Sequence, residues 1–198
     1  MLSSRLASCR NLQLNWRCRR SLFTLPDLSS FSPLGTRSPQ KYSESKRLPF
    51  TQKELYDVVS DVGSYPRFLP FCTGSRIISA VPKLSSPGKH VLDAELSVGF
   101  LAFKETYVSQ VTCVPYQSVE AVATSSTPLF KTLSTIWRFE PSPTDTDASP
   151  STNVSLNLVY AFANPLHAAV SSRFFGQVSE LMIKAFEDRC REIYGRGQ

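Results

Sequence analysis

"NPLHAAVSSRFFGQVSELMIKAFEDRCREIYG", residues 164–195, decides the fold. Asn164 can cap a helix, Pro165 suits its first turn, and Gly195 is a natural stop. About 30 residues at 1.5 Å each give a helix of roughly 45 Å, long enough to cross a whole sheet. Leu166, Val170, Phe174, Val178, Leu181, Met182, Ala185, Phe186 and Ile193 make one apolar stripe. Arg173, Gln177, Glu180, Lys184 and Asp188 are left to face water.

A stripe of that length needs a sheet to cover, and the preceding chain supplies one. "SLNLVYAF" (155–162) sets Leu156, Leu158, Tyr160 and Phe162 on one face, and "HVLDAELSV" (90–98) does the same with Leu92, Ala94, Leu96 and Val98. Such alternation marks antiparallel strands with one buried face. Strands are expected near 73–81, 90–98, 103–114, 118–124, 129–140 and 153–163. "KLSSPGK" (83–89) and "PSPTDTDASPST" (141–152) are expected as hairpin loops, the second of them mobile.

Ahead of them, "RLPF" (47–50) forms a short strand. "TQKELYDVVSDV" (51–62) carries Leu55, Val58, Val59 and Val62 at helical spacing behind a Thr51 cap. Pro66 and Pro70 then break "GSYPRFLPF" (63–71) into a turn or second short helix. The order is strand, two helices, six strands, long helix. Strands twist, so a sheet of this size curls, and the terminal helix lies in its concave side. The fold class is therefore α+β, a helix-grip architecture, a curved antiparallel sheet gripping a long C-terminal helix with a cavity between them.

The N-terminus is of another kind. "MLSSRLASCRNLQLNWRCRRSLF" (1–23) is rich in Arg, Ser and Leu and free of acids, the pattern of a mitochondrial transit peptide. Residues 24–45 are Ser/Pro-rich and read as linker. The expected division is 1–40 for transit peptide and linker and 41–198 for the folded domain. Six Arg against one acid in residues 1–40 account for +5 of the net charge of +6, leaving +1 for the domain. That balance gives no footprint for nucleic acid. No apolar run approaches the roughly 20 residues of a membrane helix. Cys72, Cys113 and Cys190 are far apart and lie in no Cys/His cluster, which speaks against a zinc site or a disulfide framework.

"YPRFLPFCTGSRI" (65–77), "LSVGFLAFKETYVSQV" (96–111), "LFKTLSTIWRF" (129–139) and "SRFFGQVSELMIKAFEDRCREIYG" (172–195) resemble, in that order, the mitochondrial coenzyme Q-binding START-domain family. The likeness runs from about residue 46 to the end. Two features depart from the family's pattern: the long 140–152 loop, and Phe71 where many relatives carry Trp. The resemblance implies a non-enzymatic ubiquinone chaperone on the matrix face of the mitochondrial inner membrane, supporting respiration and ubiquinone biosynthesis. Its partners are then ubiquinone and related isoprenoid quinones, the membrane surface, and ubiquinone-synthesis or respiratory complexes. Two alternatives stand beside it, a protein-interaction module acting on ribosomes and a small-molecule cyclase of the same fold.

On that reading the isoprenoid tail needs apolar walls and the quinone head needs hydrogen-bond donors. Tyr65, Phe68, Leu69 and Phe71 are expected at the cavity entrance. Leu92, Leu96, Leu156, Leu158, Phe162, Phe174, Phe175, Val178 and Met182 are expected along the tail. Tyr107 and Tyr160 are candidate donors, with Lys104 and Arg138 as further possibilities. In "VGFLAFKE" (98–105) alternation stops where a hairpin turns, so Phe100, Leu101 and Phe103, with Lys104 beside them, are expected to meet the membrane. No catalytic set is visible. His90 and His167 belong to no Ser-His-Asp or metal arrangement, and no phosphate-binding Gly-rich loop occurs. Ubiquinone is expected as ligand, with no catalytic cofactor and no metal.

Overall fold

A capping box starts the helical part of the chain. Thr51 Oγ1 accepts the Glu54 N–H at 3.2 Å and the Glu54 carboxylate accepts the Thr51 N–H at 2.9 Å. Helix α1 (Gln52–Ser60) follows and buries Leu55, Val58 and Val59. A 3₁₀ turn, Val62–Arg67, continues it and contains Pro66. These features come from a computed structural model that describes residues 38–79, 88–100, 103–124, 127–128, 130–142, 150–163 and 165–195, the side chains of residues 100, 103 and 165–176 excepted. The transit-peptide and linker expectations for residues 1–37, the loop expectations for 83–87 and 143–149 and the cap expected at Asn164 fall outside them. All described elements belong to one compact unit, Arg37–Gln198.

The seven strands are β1 (Gln40–Leu48), β2 (Cys72–Ser79), β3 (His90–Phe100), β4 (Phe103–Val114), β5 (Ser118–Ala123), β6 (Phe130–Pro141) and β7 (Thr152–Phe162). They form one antiparallel sheet in the order β1-β7-β6-β5-β4-β3-β2. Strands β2 to β7 are consecutive neighbours, and the chain passes from edge strand β1 to edge strand β2 through α1 and the 3₁₀ turn. Helix α2 (Pro165–Tyr194) closes the fold, and Gly195 ends it at φ +66° with its N–H on the Arg191 carbonyl at 2.8 Å.

Three sequence expectations need correction. First, the opening strand is not limited to "RLPF"; it begins at Gln40 and pairs with β7 from Gln40↔Tyr160 to Leu48↔Thr152. Residues 40–45 are thus strand, not linker. Their alternation is hidden because the half-buried positions include Gln40, Tyr42 and Glu44.

Second, the buried seam of α2 is rotated from the expected stripe. Leu181 and Ile193 are 45% and 48% exposed, while Ser179, Ile183, Phe186, Glu187 and Cys190 are buried. A carboxylate can occupy that seam because cations meet it. Lys46 Nζ on β1 lies 2.5 Å from Glu187 Oε2, and Arg191 pairs with the other oxygen. Third, β3 and β4 stay paired through Gly99↔Lys104 and Phe100↔Phe103, so the hairpin connection is shorter than the apolar run suggests.

Candidate functional site

The concave face of the sheet is built from alternate residues: Leu96 and Val98 on β3, Tyr107, Ser109 and Val111 on β4, Leu133, Thr135 and Trp137 on β6, Leu158 on β7. The middle of that face carries small side chains. Ala121 on β5 lies opposite Val111 on β4 and Thr135 on β6, and Ser109 lies between Ala94 and Ala123. A curved sheet lined with small residues at its centre cannot be filled by the helix that spans it. A cavity of about 150 Å³ remains, roofed by Val178, Met182 and Phe186 of α2.

Phe186 sits at the centre of an aromatic cluster. Its ring meets Trp137 at 4.9 Å, Phe68 at 5.2 Å and Tyr65 at 5.4 Å, each edge to face. The "YPRFLPF" segment supplies another wall. After the 3₁₀ turn, the Leu69 N–H returns to the Tyr65 carbonyl at 2.8 Å, and Leu69, Pro70, Phe71 and Cys72 all line the cavity. Phe71 holds φ at +66°, left-handed backbone that aromatic residues rarely adopt. Its carbonyl accepts the Gly99 N–H at 2.8 Å, which ties this wall to the β3–β4 hairpin.

No charged side chain lines the cavity among the described residues. The Tyr65 hydroxyl donates to the Val59 carbonyl at 2.5 Å. The hydroxyls of Tyr107, Ser109 and Thr135 make no hydrogen bond among the described residues. Burial pushes the phenols of Tyr65 and Tyr107 well above their ordinary range. Burial likewise raises the Cys72 thiol, opposed by a backbone hydrogen bond at Gly74. The polar groups of the wall are neutral at physiological pH.

Of the residues singled out in the sequence, Tyr65, Leu69, Phe71, Leu96, Tyr107, Leu158, Val178 and Met182 come together around this space. Others stand elsewhere. Phe68 lies outside the wall, edge-on to Tyr65 and Phe186, with the Arg189 guanidinium 5.8 Å from its ring centre. Leu156 is core at 1% exposure, and Leu92 packs half-buried against the same cluster. Tyr160 is buried and donates its hydroxyl to Gln40 Oε1 at 2.7 Å, and Phe162 stacks on Phe130 at 5.3 Å.

Lys104 and Arg138 are exposed, on the strand face opposite Tyr107 and Trp137. The side chains of Phe174, Phe175, Phe100 and Phe103, and all of Leu101, lie outside the described residues. Ser109, Val119, Ala121, Phe130, Thr135 and Trp137 were not singled out, although their alternation on β4–β6 carries the signal.

Among the described residues no group of acidic, His or Cys side chains is placed to hold a metal, and no helix is long and apolar enough to cross a membrane. His90 is exposed at the start of β3.

Residues 48–187 match the family described as polyketide cyclase/dehydrase and lipid transport. A Xenopus laevis protein named coenzyme Q-binding protein COQ10 homolog B, mitochondrial, is 36% identical over 170 residues, which cover 85% of this chain and 65% of that protein. The chain thus spans a little under two thirds of that relative. The Dictyostelium discoideum coenzyme Q-binding protein COQ10, mitochondrial, is 35% identical over 152 residues, 76% of this chain and 69% of that one. A more distant relative, the ribosome association toxin RatA of Escherichia coli, is 29% identical, with coverage of 77% and 87%. Among solved structures, the 18 kDa protein CC1736 of Caulobacter crescentus superposes with a TM-score of 0.63 at 27% identity, over 79% of this chain and 99% of that one. The helix-grip fold, the family match along most of the domain and the level of identity to these relatives agree: the chain belongs to the coenzyme Q-binding COQ10 family, within the polyketide cyclase/dehydrase and lipid transport family.

Proposed function

We propose that this chain binds ubiquinone, holds it in the cavity without changing it, and acts as a quinone chaperone on the matrix face of the mitochondrial inner membrane. In that role it supports respiratory electron transport and ubiquinone biosynthesis. The observation that carries the reading is a cavity whose described lining is apolar and uncharged, set in a fold whose relatives are named for coenzyme Q. An engineered apolar void of about 150 Å³ in another protein binds one benzene ring. That space holds a bare six-membered ring, so the methoxy and methyl groups of the head and the isoprenoid tail require the cavity to widen along Phe130, Leu133 and Leu158 beneath α2 as the ligand enters.

Catalysis is not favoured. Acid–base work needs a group that titrates near the working pH, and nucleophilic work needs an activated one. The described wall offers two phenols and a thiol, all pushed upward by burial. Membrane contact through Phe100, Leu101, Phe103 and Lys104 fits the position of their hairpin, since Val98 lines the cavity and Gly99 is bonded to Phe71. A nearly insoluble ligand then passes from bilayer to cavity beside that wall. A mitochondrial location draws support from the relatives' names and from the Arg-rich, acid-poor N-terminus. The ribosome-directed alternative draws on the names of more distant bacterial relatives, and a domain charge of only +1 speaks against an RNA-facing role.

Lipid extraction from the purified chain followed by mass spectrometry tests the proposal. Ubiquinone in the extract, near one per chain, is the expected result. Repeated purification with no isoprenoid quinone, from cells that make it, would contradict it.

A further inference from the structure

Three hydroxyl groups face the cavity without a hydrogen bond among the described residues, and they differ in what they can reach. Ser109 is 3% exposed, on a short side chain in the middle of β4 that reaches little way into the cavity. Thr135 is similarly short and sits beside Ala121 on the neighbouring strand. Tyr107 is different. It is half-buried, its ring is ringed by apolar side chains, and its hydroxyl stands at the end of a long rigid arm. It lies opposite Leu96, one pleat inward from Val98 on the cavity face, on the side where Phe71 closes the wall. The Tyr107 hydroxyl is open to the cavity rather than sealed in the core, so a ligand that fills the cavity strips water from it and leaves it unpaired unless the ligand itself supplies an acceptor. Tyr65 shows the contrast: it is buried, and its hydroxyl is satisfied by the Val59 carbonyl.

We propose that Tyr107 is the head-group anchor, its phenolic O–H donating to one carbonyl oxygen of the bound quinone. This rests on the quinone reading above and narrows it to one specificity-determining atom, Tyr107 Oη. The consequence is discrimination by chemistry: an uncharged ring with a carbonyl acceptor is preferred over a plain isoprenoid hydrocarbon of similar bulk. A carboxylate or phosphate head finds no cation among the described lining residues. An isostere that lacks the acceptor leaves the phenol unpaired, the arrangement that gives strong selectivity in buried sites.

The test uses the full-length chain, two probes and one conservative variant. Decylubiquinone carries the head, and squalene is an isoprenoid without one. Tyr107→Phe removes only the hydroxyl. The expected result is a decylubiquinone affinity about tenfold weaker in Tyr107→Phe, with squalene binding unchanged. In the infrared, carbonyl-labelled decylubiquinone bound to the wild-type chain shows one carbonyl band at lowered frequency, and that shift is absent in the variant. Equal decylubiquinone affinity in both chains, or an unshifted carbonyl band in the wild type, overturns the anchor and leaves the quinone cavity standing. Equal weakening for both probes makes Tyr107 a packing residue and also overturns it. A wild-type chain that binds squalene but not decylubiquinone removes the quinone reading itself and the anchor with it.

Discussion

At Phe71 the backbone is left-handed, where a Cβ costs about 1–2 kcal/mol and glycine costs almost nothing. Phe71→Gly should therefore be more stable than Phe71→Ala by about 1 kcal/mol in denaturant titrations, although both weaken quinone retention by removing part of the wall. Equal stability of the two variants would show that the conformation is not held in solution. Tyr65 and Tyr107 give a pH signature. Burial raises both phenols above their ordinary 10.0, so the folded chain keeps them neutral while the unfolded chain lets them ionise at that value. Their contribution is fully present below about pH 10 and is lost as the pH rises beyond it. The melting temperature should begin to fall near pH 9, where the unfolded chain's Cys72, Cys113 and Cys190 thiols ionise while burial keeps them neutral in the fold, and fall further above about pH 10, less steeply there in Tyr65→Phe. That variant starts from a lower value because it also loses the bond to Val59. A parallel fall in both chains above about pH 10 would assign the loss there to other groups.

Elements carry the next level of the account. Strand β1 and helix α2 are joined by Lys46, Glu187 and Arg191 around one buried carboxylate. Glu187→Ala removes the shared partner, while Lys46 and Arg191 retain partial access to water. A loss of about 1–3 kcal/mol in chemical denaturation is expected, part of it restored in Glu187→Gln. No measurable change would make the bridge incidental. The β3–β4 hairpin belongs to the membrane proposal. Replacing Phe100 and Leu101 together with Ser should reduce co-sedimentation with cardiolipin-containing vesicles tenfold or more, since each apolar side chain contributes about 1.5–3 kcal/mol when buried. The melting temperature should hardly move. Unchanged sedimentation, or a large drop in melting temperature, would place these side chains against the protein instead.

Across the whole molecule, the order of elements was readable because its signals are local. Alternation in "HVLDAELSV" and "SLNLVYAF", the Thr51–Glu54 box and the Gly195 stop each act within a few residues. What escaped depends on distant partners. The polar inward face of β1 makes sense only beside Lys46–Glu187, and the rotation of α2 that exposes Leu181 follows from what the sheet presents. The cavity was half legible for the same reason. Large residues such as Tyr65, Leu69 and Tyr107 announce themselves, whereas a void is made by what is small. Ala121 and Ser109 become meaningful only once the register sets them at the centre of a curved face. The extent of β1 also sets where the chain can be shortened. A chain beginning at residue 38 should melt with the full-length protein, and one beginning at residue 46 should be destabilised and aggregate, because it bares the edge of β7.

The central claim is that this void is the quinone site, and Ala121→Leu addresses it most directly by filling the void from its floor. In a Trp16→Phe background Trp137, on the cavity wall, is the only remaining tryptophan, and a quinone bound beside it quenches its fluorescence. Titration with decylubiquinone should give saturable quenching in the parent chain. In the Ala121→Leu chain the affinity should fall at least tenfold while the melting temperature holds or rises, because the added side chain takes space the ligand needs. Equal saturable quenching in a folded Ala121→Leu chain would contradict the account and place the quinone elsewhere.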